Sequence, residues 1–524
     1  MSGIFGLDWA ALSVSLFNAI LLLWLGLTVL LNAERRLWGI WMAGGGLLTG
    51  AAFFVIHTVI LGLGFGRFGW AANFWWRLGW IPVILAPFAW YLVMLWYTGY
   101  WEGRDNPAYR RETGFVSETG FAHHHLWLLV LLATSLVMVG MFIFASPLPS
   151  ISQMSHLQLN AQPALFGVPL LLILYPLFIL ACISLALEAL LRPGPTLRLM
   201  GQLARQRARP WLTAATFVLL LVSLLVAGFM LWVALSARYA TTFMILARAA
   251  AWVDLSIETL IAASVVLTGQ AIVSYEIFTG KALPRRGLLR FWRRALALAA
   301  GYALLVGFSA VSRVAPIYSL LLSAVLLILL YALLNWRSYA ERQHFIGSLR
   351  PFIASQPRYD QLLDQPDSNP LREAELSFRA LCGQVLGVSR AALIPHGSLA
   401  TLFGPPLVYP ASQSMPVFKI AETAAGILPD TLYLPVEDDT THGALWTIPL
   451  WNSNGLCGLL ALGEKADHGL YTQEEIELAR VTGERLIDLQ ASAEITRRLA
   501  ALQRRQLAES QVLDRRARRV LHDD

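Results

Sequence analysis

Apolar runs of about 17 to 25 residues recur from Ala10 to Asn335, each long enough to cross a hydrocarbon core of roughly 30 Å. They stop after Trp336. Nine are legible: Ala10–Leu31, Trp38–Leu63, Trp75–Tyr97, Leu126–Phe144, Phe166–Leu190, Trp211–Ala237, Ala249–Val273, Ala295–Ala310 and Pro316–Asn335. The eighth is short for a span and is compatible with a re-entrant segment. Beyond Trp336, Arg, Glu, Asp and Gln become common and the pattern turns to α/β. The expected fold is therefore multi-domain. Residues 1–336 form a polytopic α-helical membrane bundle and 337–370 a cytoplasmic linker. Residues 371–492 form an α/β domain, and 493–524 continue as a helix.

Within the soluble part, Leu371–Val388 has helical periodicity and Ala391–Pro395 reads as a strand. Val417–Ile427 predicts a second helix and Thr431–Val436 another strand. ALWTIPLWNSNGLCGLLALGEK places two β-favouring runs around Asn452-Ser453-Asn454-Gly455, a hairpin signal. Thr472 is positioned as the N-cap of a long helix, with Glu475 three residues on completing a capping box. No proline interrupts that helix to the last residue, and Gly483 alone argues locally against it. Leu486, Leu489, Ala493, Leu499, Leu502, Leu507, Leu513, Ala517 and Val520 form an apolar seam with steps mostly of three and four. Such a seam predicts a two-stranded signalling coiled coil with register breaks, hence a parallel homodimer.

Composition sharpens the membrane reading. Of 524 residues 56% are hydrophobic and only 14% charged, against about 25% in soluble chains. Most of the basic residues behind the net charge of +7 lie in short loops, where they meet anionic headgroups rather than nucleic acid. One alternate set of loops holds Arg35 and Arg36; Arg104, Arg110 and Arg111; Arg192, Arg198, Arg205, Arg207 and Arg209; and Lys281 with Arg285, Arg286, Arg290, Arg293 and Arg294. The opposite set is nearly bare, with Arg67, Arg77, Arg238 and Arg313. The excess marks the cytoplasmic side. It predicts an external amino terminus, a cytoplasmic tail and an odd number of spans, in a bacterial cytoplasmic membrane. The start, MSGIFGLDWA, lacks a basic region, so the first run reads as a retained helix rather than a cleaved signal peptide. Cys182, Cys382 and Cys457 have no spacing that suggests a disulfide framework or a zinc site.

Polar residues inside spans are the chemical clues. Asp254 and Glu258, four apart, share one face of the seventh span, which Arg248 begins. Intramembrane carboxylates face a bundle interior or a water-filled cavity. The pair is a candidate sensing, ligand or proton site, or else lies near the outer interface and reaches water. His57, in the second span, reads as hydrogen-bonded packing. His123, His124 and His125 precede the fourth span. Without Cys or carboxylate partners at ligand spacing they read as an interfacial polar cap, and no metal site is expected.

Ile448-Pro449-Leu450, the hairpin, then Gly455-Leu456-Cys457-Gly458-Leu459-Leu460-Ala461-Leu462-Gly463 and Tyr471-Thr472 before an acidic helix resemble the end of a GAF domain. The resemblance covers about Leu371 to Ser492. It implies a domain that binds a small molecule or only dimerises and transmits movement. Cys457 lies within the strand motif, away from the position of a bilin-attaching cysteine, so it reads as a core residue and the cofactor-binding residues stay unknown. The last ten residues, RRARRVLHDD, resemble the H-box of bacterial sensor histidine kinases of the nitrate/nitrite-sensor and degradation-regulator type. Val520 stands where an acidic residue is usual, and Arg518 where a small apolar one is. The resemblance implies His522 as phosphoacceptor, Asp523 as the acidic neighbour that assists proton removal, and a response regulator as partner. Such a kinase needs ATP and Mg²⁺ on a separate ATP-binding domain, supplied in cis or in trans. The sequence carries no phosphate-binding glycine loop, so a chain truncated before that domain is expected. No other cofactor is evident. The competing class is a transporter, or another membrane protein, with a regulatory GAF tail and no phosphotransfer. Gly44-Gly45-Gly46 and Pro82/Pro87 come nearest to the broken helices such a protein needs.

Overall fold

The computed structural model describes residues 4–31, 38–63, 70–100, 117–144, 164–165, 168–193, 199–236, 243–275, 286–312, 325, 370–397, 400–410, 434–435, 444–452, 455–466 and 470–522. The chain divides into two compact units, Met1–Arg337 and Ser338–Asp524.

The first unit is helical: α1 (Phe5–Leu31), α2 (Trp38–Leu63), α3 (Trp70–Tyr97), α4 (Ser117–Phe144), α5 (Leu170–Leu191), α6 (Leu199–Ser236), α7 (Phe243–Tyr275) and α8 (Arg286–Val311). All eight are long and apolar enough to cross a membrane, and together they make a multi-pass membrane protein. They correspond to the first eight expected spans. The ninth, Pro316–Asn335, falls outside the described residues apart from Val325, as do the linker and most of the basic loops. The eighth is a full helix of 26 residues rather than a short one. Arg293 and Arg294 made its apolar run look clipped, yet a helix carries such side chains with the apolar stem packed and the charged head turned away. Arg294 lies over the Phe291 ring at 5.7 Å. A two-residue strand pair, β1 (Ala164–Leu165) with β2 (Val168–Pro169), precedes α5.

Small residues let these helices approach, as lipid-embedded packing requires. The Trp96 ring of α3 fills the space beside Gly39 of α2, and Trp292 of α8 fills that beside Gly269 of α7. α1 is the hub, packed on α2, α7 and α8; α3 packs on α2 and α5, and α6 on α5 and α7. Neighbouring ends alternate. Arg209, near the start of α6, donates to the Leu190 and Leu191 carbonyls at the end of α5. Trp9, near the start of α1, donates to the Leu304 carbonyl late in α8. Large apolar side chains face outward, among them Leu126, Leu129 and Leu136 of α4 and Leu231 of α6.

The second unit is a five-stranded antiparallel sheet with helices. It comprises α9 (Pro370–Ala380), β3 (Ala391–Pro395), α10 (Ala400–Phe403), β4 (Leu407–Tyr409), β5 (Leu434–Pro435), β6 (Ala444–Asn452), β7 (Gly455–Gly463) and α11 (Gln473–His522), with strand order β4-β3-β7-β6-β5. The predicted strand Ala391–Pro395 and the hairpin are present, with Asn452 paired to Gly455 across the turn; of the predicted strand Thr431–Val436, Leu434–Pro435 are described, as β5. Gly455 has φ 114°, a backbone region glycine enters without steric cost. The predicted Leu371–Val388 helix is α9 followed by a wider π-helical turn, Leu381–Leu386, closed by left-handed Gly387. The predicted helix Val417–Ile427 lies outside the described residues. Leu393 and Leu450 face α11 at Gly483, and Gly458 meets Ile487. Ala392, Ile394, Leu459 and Ala461 form the core of the other sheet face.

The capping box is formed as the sequence predicts. The Glu475 N–H donates to Thr472 Oγ1 at 3.3 Å, and the Thr472 N–H donates to Glu475 Oε2 at 2.8 Å. From there α11 runs 50 residues, about 75 Å at 1.5 Å per residue. Leu486, Ile487 and Ala491 are buried in the unit, whereas Ile495, Leu499, Leu502, Leu507 and Val512 are exposed. Leu486, the expected first residue of the dimer seam, is thus used by the unit's own core.

Candidate functional site

Three ionisable side chains meet inside the helical unit. Asp254 and Glu258 sit one turn apart on α7, and His57 reaches them from α2. His57 Nε2 lies 2.9 Å from Glu258 Oε1 and 3.3 Å from Asp254 Oδ2. α1 completes the surroundings: Asn18 Nδ2 donates to the Glu258 backbone carbonyl at 3.0 Å. Ser15 shares a 3.0 Å hydrogen bond with Thr58, one residue beyond His57. Phe53 stacks on the His57 ring with centroids 5.6 Å apart. Because α1 packs on both α2 and α7, its polar stripe of Ser15 and Asn18 faces the cluster as a wall.

Burial makes this constellation chemically unusual. Glu258 is 2% exposed, and neither of its carboxylate oxygens has an aligned hydrogen bond. The same holds for His57 Nε2 and Asn18 Oδ1. His57 Nε2 lies within ion-pair distance of both carboxylates, so the three groups act as one cluster. Unsatisfied buried polar atoms are costly, and four in one place mark a site whose completing partner is a proton, a small cation or a ligand head. With all three groups ionised, two carboxylates surround one imidazolium and one negative charge is left over, which a proton or a cationic partner would balance. The three side chains can also converge on a metal ion, each offering a ligand atom within 4.8 Å of the others.

Beside the cluster lies a cavity of about 430 Å³, bordered by His57 and Asp254 at its polar edge and by Trp76, Trp80, Trp90 and Tyr175 along its apolar walls. Pro82 and Pro87, both inside α3, also line it.

Asp254 and Glu258 are therefore brought together as their spacing predicts, and inward rather than to bulk water for Glu258. Arg248 is exposed. His57, read from sequence as packing, is the missed member. Its one sequence signal was a titratable residue in an apolar span. The three consecutive histidines stand at the other end of the bundle, where α3 ends and α4 begins. His522 is the last residue of α11, and Asp523 lies outside the described residues. Cys457 is buried, its Sγ donating to the Leu450 carbonyl at 3.3 Å. Burial, with the charges of Asp488 and Glu484, pushes its thiol up to about 11. Burial likewise pushes the Cys382 thiol up. Neither thiol is poised as a nucleophile. No known protein family, curated protein or solved structure matches the chain.

Proposed function

We propose that the chain is a membrane-bound signal-transducing sensor, the input and relay part of a two-component histidine kinase. The helical unit receives the stimulus, with His57, Asp254 and Glu258 as its intramembrane sensing group. The sheet unit acts as a GAF-like relay, and α11 carries the output as one strand of a parallel coiled coil to His522.

The observation that carries this reading is the change in α11 at Ser492. Up to Ala491 the helix is packed in its own unit. Beyond it Ile495, Leu499 and Leu502 stand exposed along one face of the helix. A helix of that length with an uncovered apolar seam needs a partner to bury it, and two copies in one membrane present the same seam in the same direction. The five-stranded antiparallel sheet flanked by α9 and α11 supports the relay assignment, and the RRARRVLHDD run supports the output. In the phosphotransfer, a His522 ring nitrogen attacks the ATP γ-phosphorus, the bond to the β-γ bridging oxygen breaks, and ADP leaves. Asp523 takes the imidazole proton.

The deciding experiment reconstitutes the full chain in lipid and supplies an ATP-binding domain of the same kinase subgroup with ATP and Mg²⁺. Acid-labile phosphate on His522, abolished in His522→Gln and strongly reduced in Asp523→Asn, is the expected result. Equal labelling of His522→Gln overturns it. One observation favours a second reading, transport. The proline-bearing helix α3 lines a cavity that ends at a charged cluster, as a midplane substrate site does. Proton-coupled uptake into vesicles that depends on Glu258 would establish it in place of the sensor.

A further inference from the structure

At the opposite end of the bundle a second polar cluster joins three helices. His123 and His124 open the apolar part of α4, and Glu188 comes from the last turn of α5. His123 Nε2 lies 3.4 Å from Glu188 Oε2. Each of the three side chains offers a ligand atom within 4.8 Å of the other two. The absence of a carboxylate at ligand spacing argued against metal in the sequence, and the fold supplies one from a different helix.

We propose that His123, His124 and Glu188 bind a divalent transition metal of the zinc type. Two imidazoles and a carboxylate are a donor set that zinc accepts while keeping a further position open for water. An independent feature points the same way. The Tyr91 hydroxyl of α3 meets His124 Nδ1 at 2.9 Å, and His124 is 1% exposed. A ligating histidine donates its other ring N–H to an oxygen in this manner; with Nδ1–H donating to the Tyr91 oxygen, His124 Nε2 is left to the ion. His123 and Glu188 keep 37% and 35% of their side chains exposed, which gives the ion a path in from water. Arg192 is the competing cation, 3.4 Å from Glu188 Oε1, but its own side chain is 77% exposed and its pairing is correspondingly weak.

The location gives the ion a structural consequence. α4 rests on α3 and α5, and much of its surface faces outward. A metal held by α4 and α5, with α3 bracing one ligand, ties this edge helix to the bundle.

The test uses the full chain in detergent, titrated with Zn²⁺ in competition with a chromophoric chelator and with Co²⁺ for its ligand-field absorption. Wild type should bind Zn²⁺ with a Co²⁺ spectrum of nitrogen and oxygen ligation. His123→Ala and Glu188→Gln, at half-exposed positions whose replacement leaves the core filled, should each weaken this binding at least 100-fold. Tyr91→Phe should weaken it roughly 10- to 100-fold, as loss of an orienting partner does. His125→Ala, next in sequence but outside the cluster, should leave it unchanged. Absence of binding by the wild type, or unchanged affinity in both His123→Ala and Glu188→Gln, overturns the proposal.

Discussion

Glu258 and Glu475 are the buried glutamates among the described residues, each 2% exposed, and their surroundings could hardly differ more. Glu475 accepts from Lys465 Nζ at 3.0 and 3.1 Å and from the Thr472 N–H at 2.8 Å. Its charge is matched and its oxygens are satisfied. Glu258 instead shares a single imidazole, His57 Nε2 at 2.9 Å, with a second carboxylate, Asp254. A charge that is paired and bonded on all sides holds a fold together. One left incomplete inside apolar helices is a cost that the rest of the bundle must carry, which is the signature of a functional group. The sheet unit uses its buried acid as a fastener; the helical unit keeps its own in reserve.

That contrast breaks most sharply on stability. Glu475→Ala should destabilise the sheet unit by about 2 kcal/mol, because it removes a buried carboxylate that both caps α11 and pairs with the partly covered Lys465. Hydrogen exchange at the β6–β7 amides of the intact chain should accelerate accordingly. Glu258→Gln should cost less than about 1 kcal/mol in the same chain, since it removes an unsatisfied buried charge. A Glu258→Gln variant less stable than Glu475→Ala would reverse the assignment of the two acids.

Next in size is the functional arm. Asp254→Asn and Glu258→Gln should each alter His522 labelling several-fold, because each removes an intramembrane charge without changing size. Wild-type behaviour in both would reduce the cluster to a packing feature of the bundle. A smaller effect tests what Glu475 anchors. With the start of α11 fixed, Leu502→Cys should form disulfide crosslinks in membranes several-fold more efficiently than Arg504→Cys. Equal yields would remove the coiled coil.

The smallest effect concerns Cys457. Burial raises its thiol from 9.0 to about 11, so the folded state favours the neutral form. That contribution to stability is complete below pH 9 and is lost as pH rises from 9 to about 11. Sheet-unit stability should decline across that window in wild type and less in Cys457→Ala. Near pH 8 the native thiol should react with disulfide reagents roughly 100-fold more slowly than after unfolding, in proportion to its thiolate fraction.

What could be read in advance follows the range of the interaction. The capping box at Thr472 and Glu475, the Asn452–Gly455 turn and the Asp254/Glu258 face depend on residues within four positions of one another, and all were legible. So were eight of the apolar spans. His57 and Glu188 were not assigned, because their partners are brought to them only by helix packing and nothing in their neighbourhoods marks them. α8 looked short because charge density within a window ignores where a helix points its arginines. The π-helical turn before Gly387 had no local signal.

Gly483 has a mechanical consequence. A methyl group there would come within 3.0 Å of the Leu450 side chain, so the helix lies close over the side chains of β6. Packing holds the helix as far as Ala491, and about 46 Å of unbroken helix extends from there to His522. The stretch from Gly483 to Ala491 is therefore a seat with a long arm on one side. A tilt of about 5° at that seat would sweep the far tip through roughly 4 Å, by the length of that arm.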